Sequence, residues 1–281
     1  MRIAFIGGGN MATALIGGMV ANGRAVSDFV VVEPHEAQRT RLAERFRGIE
    51  LHARAAEVSL RGVKLLILAV KPQQMREACA ALATDVDGVA AVLSIAAGTR
   101  IRDISRWLGG YSRIIRAMPN TPALIGAGIT GLHAPSTVDA VSRDAATSVL
   151  AAAGEVLWCD EEAMLDAVTG VSASGPAYVF YCLEALEQAA KDLGFSPTDS
   201  RRLAYATFDG AVKLARASDA DPKTLRAQVT SKGGTTERGV AALEQGGVRE
   251  AIINAAKAAT LRATELGDSL AGETARREAE P

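Results

Sequence analysis

The chain has 281 residues, a length that allows about two domains. Hydrophobic residues make up 48% of the sequence and charged residues 22%, a composition that supports a large core and excludes a disordered chain. The formal net charge of −1 argues against nucleic acid or an anionic membrane as a partner. The three cysteines and three histidines are scattered without metal-ligand spacing, so we expect no metal site and reduced cysteines in a cytoplasmic protein.

The first predicted elements are a strand and a glycine turn. Ile3–Ile6 is a short apolar run, typical of a central parallel strand that is covered on both faces. The residues from Gly7 to Ala12 fit the pattern G-x-G-x-x-A. The first glycine permits a tight turn, the second lets the backbone approach a pyrophosphate, and the alanine lets the helix pack closely on the strand. This pattern predicts a dinucleotide site, with a glycine turn of another α/β protein as the alternative.

The second predicted strand, Phe29–Val32, ends in Glu33. In dinucleotide sites an acidic residue at about this distance from the glycine turn hydrogen-bonds the hydroxyl groups of the adenosine ribose. Glu33 is therefore the predicted contact to the ribose. The helix that follows the glycine turn offers its free N–H groups and the positive end of its dipole to the phosphates.

Short apolar runs alternate with helical stretches up to about residue 158. This alternation predicts an α/β fold with a doubly wound parallel sheet that carries helices on both faces. The remaining predicted strands are 65–70, 91–95, 112–117, 129–132 and 155–158, and the helices among them are 36–47, 74–82 and 138–153. Because ligands bind outside the carboxyl ends of such strands, we expect the site near the turns at 71–72, 96–99 and 118–122.

From about residue 160 alanine, leucine and charged residues dominate, and these are good helix formers. We predict an α/β domain at residues 1–160, an all-α domain at 161–272 and a frayed tail at 273–281. The predicted helices are 177–193, 200–217, 222–229, 237–245 and 248–266. The first of them is apolar around most of its circumference, and a helix of this kind must be buried on all sides. We therefore predict a homodimer through this half, with burial against the first domain as the alternative.

A loop between two of these helices has the composition of an anion site. Gly233 and Gly234 permit backbone conformations that are closed to other residues, and Thr235 or Thr236 can cap the helix that follows. The helix N-terminus and the glycine N–H groups would form a compact receptor for a small carboxylate. An ordinary turn with a threonine cap is the alternative, but two glycines, two threonines and Ser231 exceed what a cap requires.

The stretch 225–244, LRAQVTSKGGTTERGVAALE, resembles the signature of the pyrroline-5-carboxylate reductase family. Six further segments resemble that family in order and spacing: IAFIGGGNM, AVKP (69–72), SIAAGT (94–99), RAMPNTPA (116–123), DAVTGVSASGPAYVF (166–180) and INAAKAATLRATEL (253–266). The resemblance covers essentially residues 1–268. Because several independent motifs agree, it is more specific than the glycine pattern alone.

The resemblance implies a Rossmann domain followed by a helical dimerisation domain, with the substrate at the dimer interface and, in some members, rings of dimers. It also implies reduction of L-Δ1-pyrroline-5-carboxylate to L-proline by NAD(P)H, the last step of proline biosynthesis. Carried over by motif position, the Thr236 hydroxyl is the catalytic partner of the ring nitrogen. The N–H groups of Gly234, Thr235 and Thr236 would hold the carboxylate. Glu162 matches a family position near the substrate, although a solvated carboxylate at a helix start is an equal alternative.

The cofactor contacts are carried over in the same way. The residues expected at the pyrophosphate are Gly7, Gly9, Asn10 and Met11. Those expected to flank the nicotinamide and its ribose are Ala69, Val70, Lys71, Pro72, Ala97 and Gly98. For Lys71, a role in the shape and local charge of its turn is a simpler interpretation than delivery of a proton.

The choice between NADH and NADPH depends on the ribose end. The carboxylate of Glu33 suits two free ribose hydroxyls and repels a 2′-phosphate. The family often has asparagine where this chain has Ala56. Arg39 and Arg41 could reach a phosphate, but a solvated helix face is the simpler interpretation of both. We therefore favour NADH slightly.

Two other functions are compatible with the same fold. A 3-hydroxyacid dehydrogenase would need a general base for an alcohol, for which Lys191 and Lys213 are the candidates. That function leaves the loop at 233–236 without a role. A non-catalytic NAD(P)-sensing regulator would bind the cofactor without turnover.

Overall fold

The computed structural model of the protein describes residues 1–279, and for residues 270–279 the helical backbone alone. Within this range eight strands form one sheet, in the order β3-β2-β1-β4-β5-β6-β7-β8. The strands are β1 (Ile3–Ile6), β2 (Phe29–Val32), β3 (Glu50–His52), β4 (Leu65–Leu68), β5 (Ala91–Ser94), β6 (Ile114–Met118), β7 (Gly128–His133) and β8 (Gly154–Trp158).

Eleven helices accompany the sheet in the described part of the chain. They are α1 (Asn10–Ala21), α2 (Glu36–Arg45), α3 (Met75–Ala80), α4 (Ile101–Trp107), α5 (Ala140–Ala151), α6 (Met164–Val168), α7 (Gly175–Asp192), α8 (Pro197–Arg216), α9 (Pro222–Gln228), α10 (Thr235–Gln245) and α11 (Val248–Ala279). A π-helical turn, Thr169–Ala173, joins α6 to α7. Across the same described residues, no helix combines the length and the apolar character that a bilayer span requires.

The sheet confirms the predicted α/β fold and corrects it at one point. Strands β1 to β6 are parallel, in the order of a doubly wound nucleotide-binding sheet. Strand β7, however, is antiparallel to β6, and β8 is parallel to β7. The prediction of an all-parallel sheet is therefore wrong here, because the short connection between β6 and β7 has no room for the crossover that a parallel pair needs.

The predicted strands and helices differ from the observed ones at their ends. β4 and β5 end at Leu68 and Ser94, earlier than predicted, so Ala69, Val70 and Ile95 belong to the following turns. β3 was not predicted because its three residues carry no apolar run, and α4 was not predicted either.

The core consists of two hydrophobic layers, one on each face of the sheet. Along β1, Ile3 and Phe5 pack in the layer that also contains Leu15 of α1 and Val149 of α5. Ala4 and Ile6, which alternate with them, pack in the layer that contains residues of α3 and α4. Both faces of each central strand are thus buried, which explains the continuous apolar runs in the sequence.

Two compact units divide the chain: Met1–Ser174 together with the chain from Ala258 onward, and Gly175–Lys257. Helix α6 belongs to the first unit because Val168 packs so closely on Gly131 of β7 that a Cβ at Gly131 would lie 2.8 Å from it. The predicted domains 1–160 and 161–272 stay a prediction, since this division by contacts falls later in the chain. The predicted frayed tail, 273–281, lies outside the residues whose side chains the structure describes.

The second unit consists of α7 to α10 and the beginning of α11. Gly194, with φ of +98°, follows α7, and Pro197 opens α8 ahead of the predicted start at residue 200. The Ser196 hydroxyl caps α8 by accepting a hydrogen bond from the Asp199 N–H at 3.1 Å. Several large apolar side chains of α7 and α8 are exposed: Val179, Phe180, Tyr181, Leu186, Leu203, Tyr205, Val212 and Leu214.

Candidate functional site

The glycine turn after β1 is fixed by close packing. Gly7 has φ of +99°, and its N–H donates to the Val32 carbonyl at 2.8 Å. A Cβ at Gly7 would lie 2.6 Å from the carbonyl oxygen of Ala69, in the turn after β4. Only glycine satisfies both the conformation and the contact, so this residue sets the path of the turn.

Gly9 is a glycine for a different reason. It precedes α1 with φ of −68°, a conformation open to any residue, and a Cβ built on it would meet nothing within 4 Å. Neither strain nor packing against the protein requires glycine here. The free space at the start of a helix is what a pyrophosphate needs in order to reach the backbone N–H groups, so the turn fits the predicted dinucleotide.

The Glu33 carboxylate ties the glycine turn to the end of β2. Glu33 is 6% exposed. One carboxylate oxygen accepts the Gly8 N–H and the other accepts the His35 N–H, each at 2.9 Å. The Gln38 side-chain amide donates to the Gly8 carbonyl at 2.6 Å. Glu33 therefore shapes the turn directly, and its negative charge remains at the predicted ribose position.

A cavity of about 800 Å³ lies beside this turn. Its size is that of a pocket for a large organic ligand. Six of the predicted cofactor residues line it: Gly7, Gly9, Glu33, Ala69, Val70 and Lys71. The other five are not among its lining residues: Asn10, Met11, Pro72, Ala97 and Gly98.

Three arginines near the predicted ribose position differ in the groups that they bind. The Arg39 guanidinium donates to the carbonyls of Glu33 and Pro34 at 2.8 Å, so it braces the turn. Arg41 and Arg54 line the cavity and are exposed, and Arg54 pairs with Glu57 at 2.8 Å. Ala56, at the position where the family often has asparagine, does not line this cavity.

The turn after β5 is bordered by a buried charged cluster. Arg116 of β6 is 1% exposed and donates to Glu162 at 3.1 Å and to Asp166 at 3.4 Å. Asp166 also pairs with Arg100 at 2.8 Å. The Glu162 carboxylate accepts the Ile101 N–H at 2.9 Å, at the start of α4. Glu162 thus binds groups of its own unit through Oε1, while its side chain is 26% exposed, and its expected place near the substrate stays a prediction.

The diglycine bend lies at the start of α10 in the second unit. Gly233 has φ of +74°, and its N–H donates to the Glu237 carboxylate at 2.8 Å. Gly234 is the N-cap residue, so the predicted capping by Thr235 or Thr236 is wrong: both lie inside the helix, where their hydroxyls cannot take the N-cap position. The Gly234 N–H donates to the Ser231 carbonyl at 3.0 Å, which occupies one of the three donors predicted for a carboxylate.

Two donors of the bend stay available. Thr235 and Thr236 are exposed, and their N–H groups are in the first turn of α10, where a helix has no internal acceptor. Within the described residues, neither these N–H groups nor the Thr236 hydroxyl has a hydrogen-bond partner. The start of α10 can therefore bind an anion through two N–H groups and a neighbouring polar atom through one hydroxyl.

Known proteins match the chain over nearly its whole length. Residues 162–266 match the family model for pyrroline-5-carboxylate reductase dimerisation, and residues 2–98 match the model described as NADP oxidoreductase coenzyme F420-dependent. A pyrroline-5-carboxylate reductase of Pseudomonas aeruginosa is 39% identical over 269 residues, which cover 96% of this chain and 98% of that protein. The chain belongs to the pyrroline-5-carboxylate reductase family.

Solved structures agree with this membership. The structure of a pyrroline-5-carboxylate reductase from Coxiella burnetii has a TM-score of 0.89 at 38% identity and covers 94% of this chain and 98% of that one. A Plasmodium falciparum pyrroline carboxylate reductase with NADP bound has a TM-score of 0.82 at 24% identity, over 95% of this chain and 98% of that one. The second likeness bears on the fold alone.

The lysines of the dehydrogenase alternative are surface residues of this reductase fold. Lys191 pairs with Glu187 at 2.8 Å, and Lys213 pairs with Asp209 at 2.7 Å, each with a partner four residues earlier on its own helix. Each lysine is therefore engaged in an ion pair along its own helix.

Sequence reasoning missed the residues that hold the predicted site in place. Arg116 carried a usable signal, because a charged residue inside an apolar strand needs a buried partner. Gln38 and Arg100 carried none, since their partners, Gly8 and Asp166, are far away in sequence.

Proposed function

We propose that this protein reduces L-Δ1-pyrroline-5-carboxylate to L-proline with a reduced nicotinamide dinucleotide, as the last step of proline biosynthesis. Membership of the reductase family over 96% of the chain supports the reaction. The observation that carries the proposal is the start of α10, where Thr235 and Thr236 present two N–H donors and a hydroxyl without partners among the described residues. These are the groups that an imino acid requires.

The chain would bind the cofactor at the glycine turn. Gly7 sets the turn, and Gly9 leaves room for the pyrophosphate at the start of α1, next to Asn10 and Met11. When bound, the reduced nicotinamide supplies the hydride. The residues that flank its ribose and ring in this proposal are Ala69, Val70, Lys71, Pro72, Ala97 and Gly98.

The substrate groups have separate partners in this proposal. The N–H groups of Thr235 and Thr236 bind the carboxylate, aided by the positive end of the α10 dipole. The Thr236 hydroxyl hydrogen-bonds the ring nitrogen, which changes from protonated imine to amine as the C=N carbon gains a hydride. A positioned hydrogen bond to an atom whose charge changes is a principal source of catalysis. Glu162, whose Oε1 accepts hydrogen bonds from Arg116 and Ile101, is proposed to lie near the substrate.

We propose that NADH is preferred slightly over NADPH. The buried Glu33 carboxylate lies where a 2′-phosphate would have to be accommodated, and buried charges repel strongly. The cations of the same cavity offset little of this repulsion, because Arg54 is already paired with Glu57 and Arg41 is exposed to water. Ala56 contributes no argument from geometry. The match of residues 2–98 to the model described as NADP oxidoreductase coenzyme F420-dependent is the observation that favours NADPH.

We further propose a cytoplasmic homodimer with residues 161–272 as its substrate and dimerisation domain. The match of residues 162–266 to the dimerisation model supports this assembly, and so do the exposed apolar side chains of α7 and α8. Phe180 and Tyr181 are 62% and 75% exposed, which is unfavourable unless a second copy covers them. A ring of dimers is a further possibility of the family, which light scattering would test. The free state of the three cysteines fits a reducing compartment.

The decisive assay follows oxidation of NADH or NADPH in the presence of racemic pyrroline-5-carboxylate, with chiral chromatography of the product. The expected result is loss of reduced cofactor with an equal amount of L-proline formed. A parallel incubation supplies NAD⁺ with 3-hydroxyacids, the reaction of a dehydrogenase. Cofactor binding without turnover of either substrate would identify a regulator instead and contradict the proposed function.

A further inference from the structure

The turn after β5, residues 96–100, is held from the side of helix α11. Ala97 of this turn is exposed, whereas Gly98 and Thr99 are buried and Arg100 immediately precedes α4. Ala263, Thr264 and Gly267 lie on the side of α11 that is nearest to this turn. They are buried or half-buried, whereas the other residues of α11 from 261 to 269 are exposed. All of these residues belong to the same unit.

Gly267 is the point of closest approach. A Cβ built on it would lie 2.9 Å from Nε of Arg100, 3.1 Å from its Nη2 and 3.0 Å from the Gly98 carbonyl oxygen. Glycine is a poorer helix former than alanine in a helix interior, so its presence in α11 needs a reason. The reason is steric, because α11 can reach the turn only where it has no side chain.

The Arg100 guanidinium that Gly267 accommodates is held by an ion pair rather than by tight packing, since Arg100 also lines a cavity together with Asp166 and Thr264. Its Nη2 pairs with Asp166 at 2.8 Å, and its side chain is 13% exposed. Asp166 in turn accepts from Arg116 at 3.4 Å and from the Thr264 hydroxyl at 3.1 Å. With Glu162, the cluster balances two arginines against two carboxylates, and α11 joins it through Thr264.

We propose that Gly267 is a positioning residue for the turn at 97–100, which it holds through Gly98 and Arg100 in the form that receives the nicotinamide ribose. This inference rests on the proposed function, because it takes Ala97 and Gly98 as cofactor contacts. A methyl group at 267 displaces the Gly98 carbonyl or separates Arg100 from Asp166. Either movement changes the cofactor pocket without removing any group that contacts the imino acid.

The test compares Gly267→Ala with a matched glycine of the same unit. Gly17 of α1 serves as the control, because a Cβ there would meet its nearest atoms at 3.6 Å or more, an ordinary contact. Titration of intrinsic fluorescence measures the dissociation constant for NADH, and steady-state kinetics measures KM for NADH and for pyrroline-5-carboxylate. A thermal melt and size-exclusion chromatography report folding and assembly.

The expected result for Gly267→Ala is a dissociation constant and KM for NADH raised about tenfold, with KM for the imino acid and the melting temperature near those of the unaltered protein. Gly17→Ala should bind NADH as the unaltered protein does. Unchanged NADH binding in Gly267→Ala would overturn the inference. Loss of folding, or an equal rise in both KM values, would assign Gly267 a general structural role and would also overturn it.

The same titration separates this inference from the proposed function. Failure of the unaltered protein to bind NADH or NADPH would refute the proposed function itself. Normal binding by the unaltered protein together with normal binding by Gly267→Ala would refute the inference alone.

Discussion

The two glycine-containing turns of this chain, at Gly7–Gly9 and at Gly233–Gly234, differ in how closely the surrounding protein packs on them. The first is enclosed at Gly7 and Gly8: a Cβ at Gly7 would lie 2.6 Å from the Ala69 carbonyl oxygen, and one at Gly8 would lie 2.6 Å from the Leu42 side chain, which would have to move. The second is open at Gly233, which needs glycine for its φ of +74° although a Cβ there would meet nothing within 4 Å, whereas a Cβ at Gly234 would lie 3.0 Å from the Ser231 carbonyl oxygen.

The two turns also differ in the contacts that hold their backbone conformation. Packing and the Glu33 and Gln38 side chains hold the first turn through contacts within the protein. In the second turn Glu237 and Ser231 hold the glycine N–H groups, while Thr235 and Thr236 keep polar groups exposed. A preformed turn suits a cofactor common to many enzymes, whereas an exposed helix start with available donors suits a small substrate.

The largest expected effect is on the free energy of unfolding, when a methyl group is added to each turn. Gly7→Ala combines overpacking, about 1–3 kcal/mol, with strain of a positive φ, about 1–3 kcal/mol, so the free energy of unfolding should fall by about 2–6 kcal/mol. Gly233→Ala carries the strain alone and should lose only about 1–2 kcal/mol. Urea denaturation at equal protomer concentration measures both. Equal losses would contradict the contrast between an enclosed and an open turn.

The second largest effect is expected on kcat, when the Thr236 hydroxyl of the open turn is removed. Thr236→Ala should lower kcat by about 10²-fold, the scale of one lost transition-state donor, and leave the dissociation constant for NADH unchanged. Thr236→Ser keeps the hydroxyl and should keep most of the activity. The control is Thr40→Ala, which removes a hydroxyl bonded only to its own exposed helix. An undiminished kcat in Thr236→Ala would move the catalytic role to another residue.

The smallest effect concerns the enclosed turn and its charge. Glu33→Gln removes the negative charge at the ribose position and keeps only one of the bonds to Gly8 and His35, because the amide nitrogen cannot accept a hydrogen bond. The ratio of kcat/KM for NADH to that for NADPH should fall about tenfold, because a charged hydrogen bond exceeds a neutral one by about 1.4 kcal/mol. Glu36→Gln, on the exposed start of α2, is the matched control and should leave the ratio unchanged. A ratio unaltered in Glu33→Gln would remove the basis for NADH preference.

The enclosed region was the more predictable from sequence. β1, β2 and the G-x-G-x-x-A turn follow from local patterns, because a buried parallel strand must be apolar and a tight turn must contain glycine. The reversal of β7 was not predicted, since strand direction depends on the length and path of the connection after Met118 rather than on apolar content.

Long-range contacts set the limit of prediction in both regions. Gly234 rather than a threonine caps α10, because the cap is decided by backbone geometry at the bend and not by residue preference. The bond from Gln38 to Gly8 and the approach of Gly267 to Gly98 join residues that are distant in sequence, and no spacing rule connects them. The family resemblance supplied the roles of Thr236 and Glu162, whereas the bonds of Glu162 to Arg116 and Ile101 were not predicted.

Binding of the imino acid at the start of α10 can be seen directly in a crystal structure with NAD⁺ and L-proline bound. We expect the proline carboxylate about 3 Å from the N–H groups of Thr235 and Thr236, with the ring nitrogen facing the Thr236 hydroxyl. Proline bound with its carboxylate on other groups, and Thr236 out of hydrogen-bonding reach of the ring nitrogen, would contradict it.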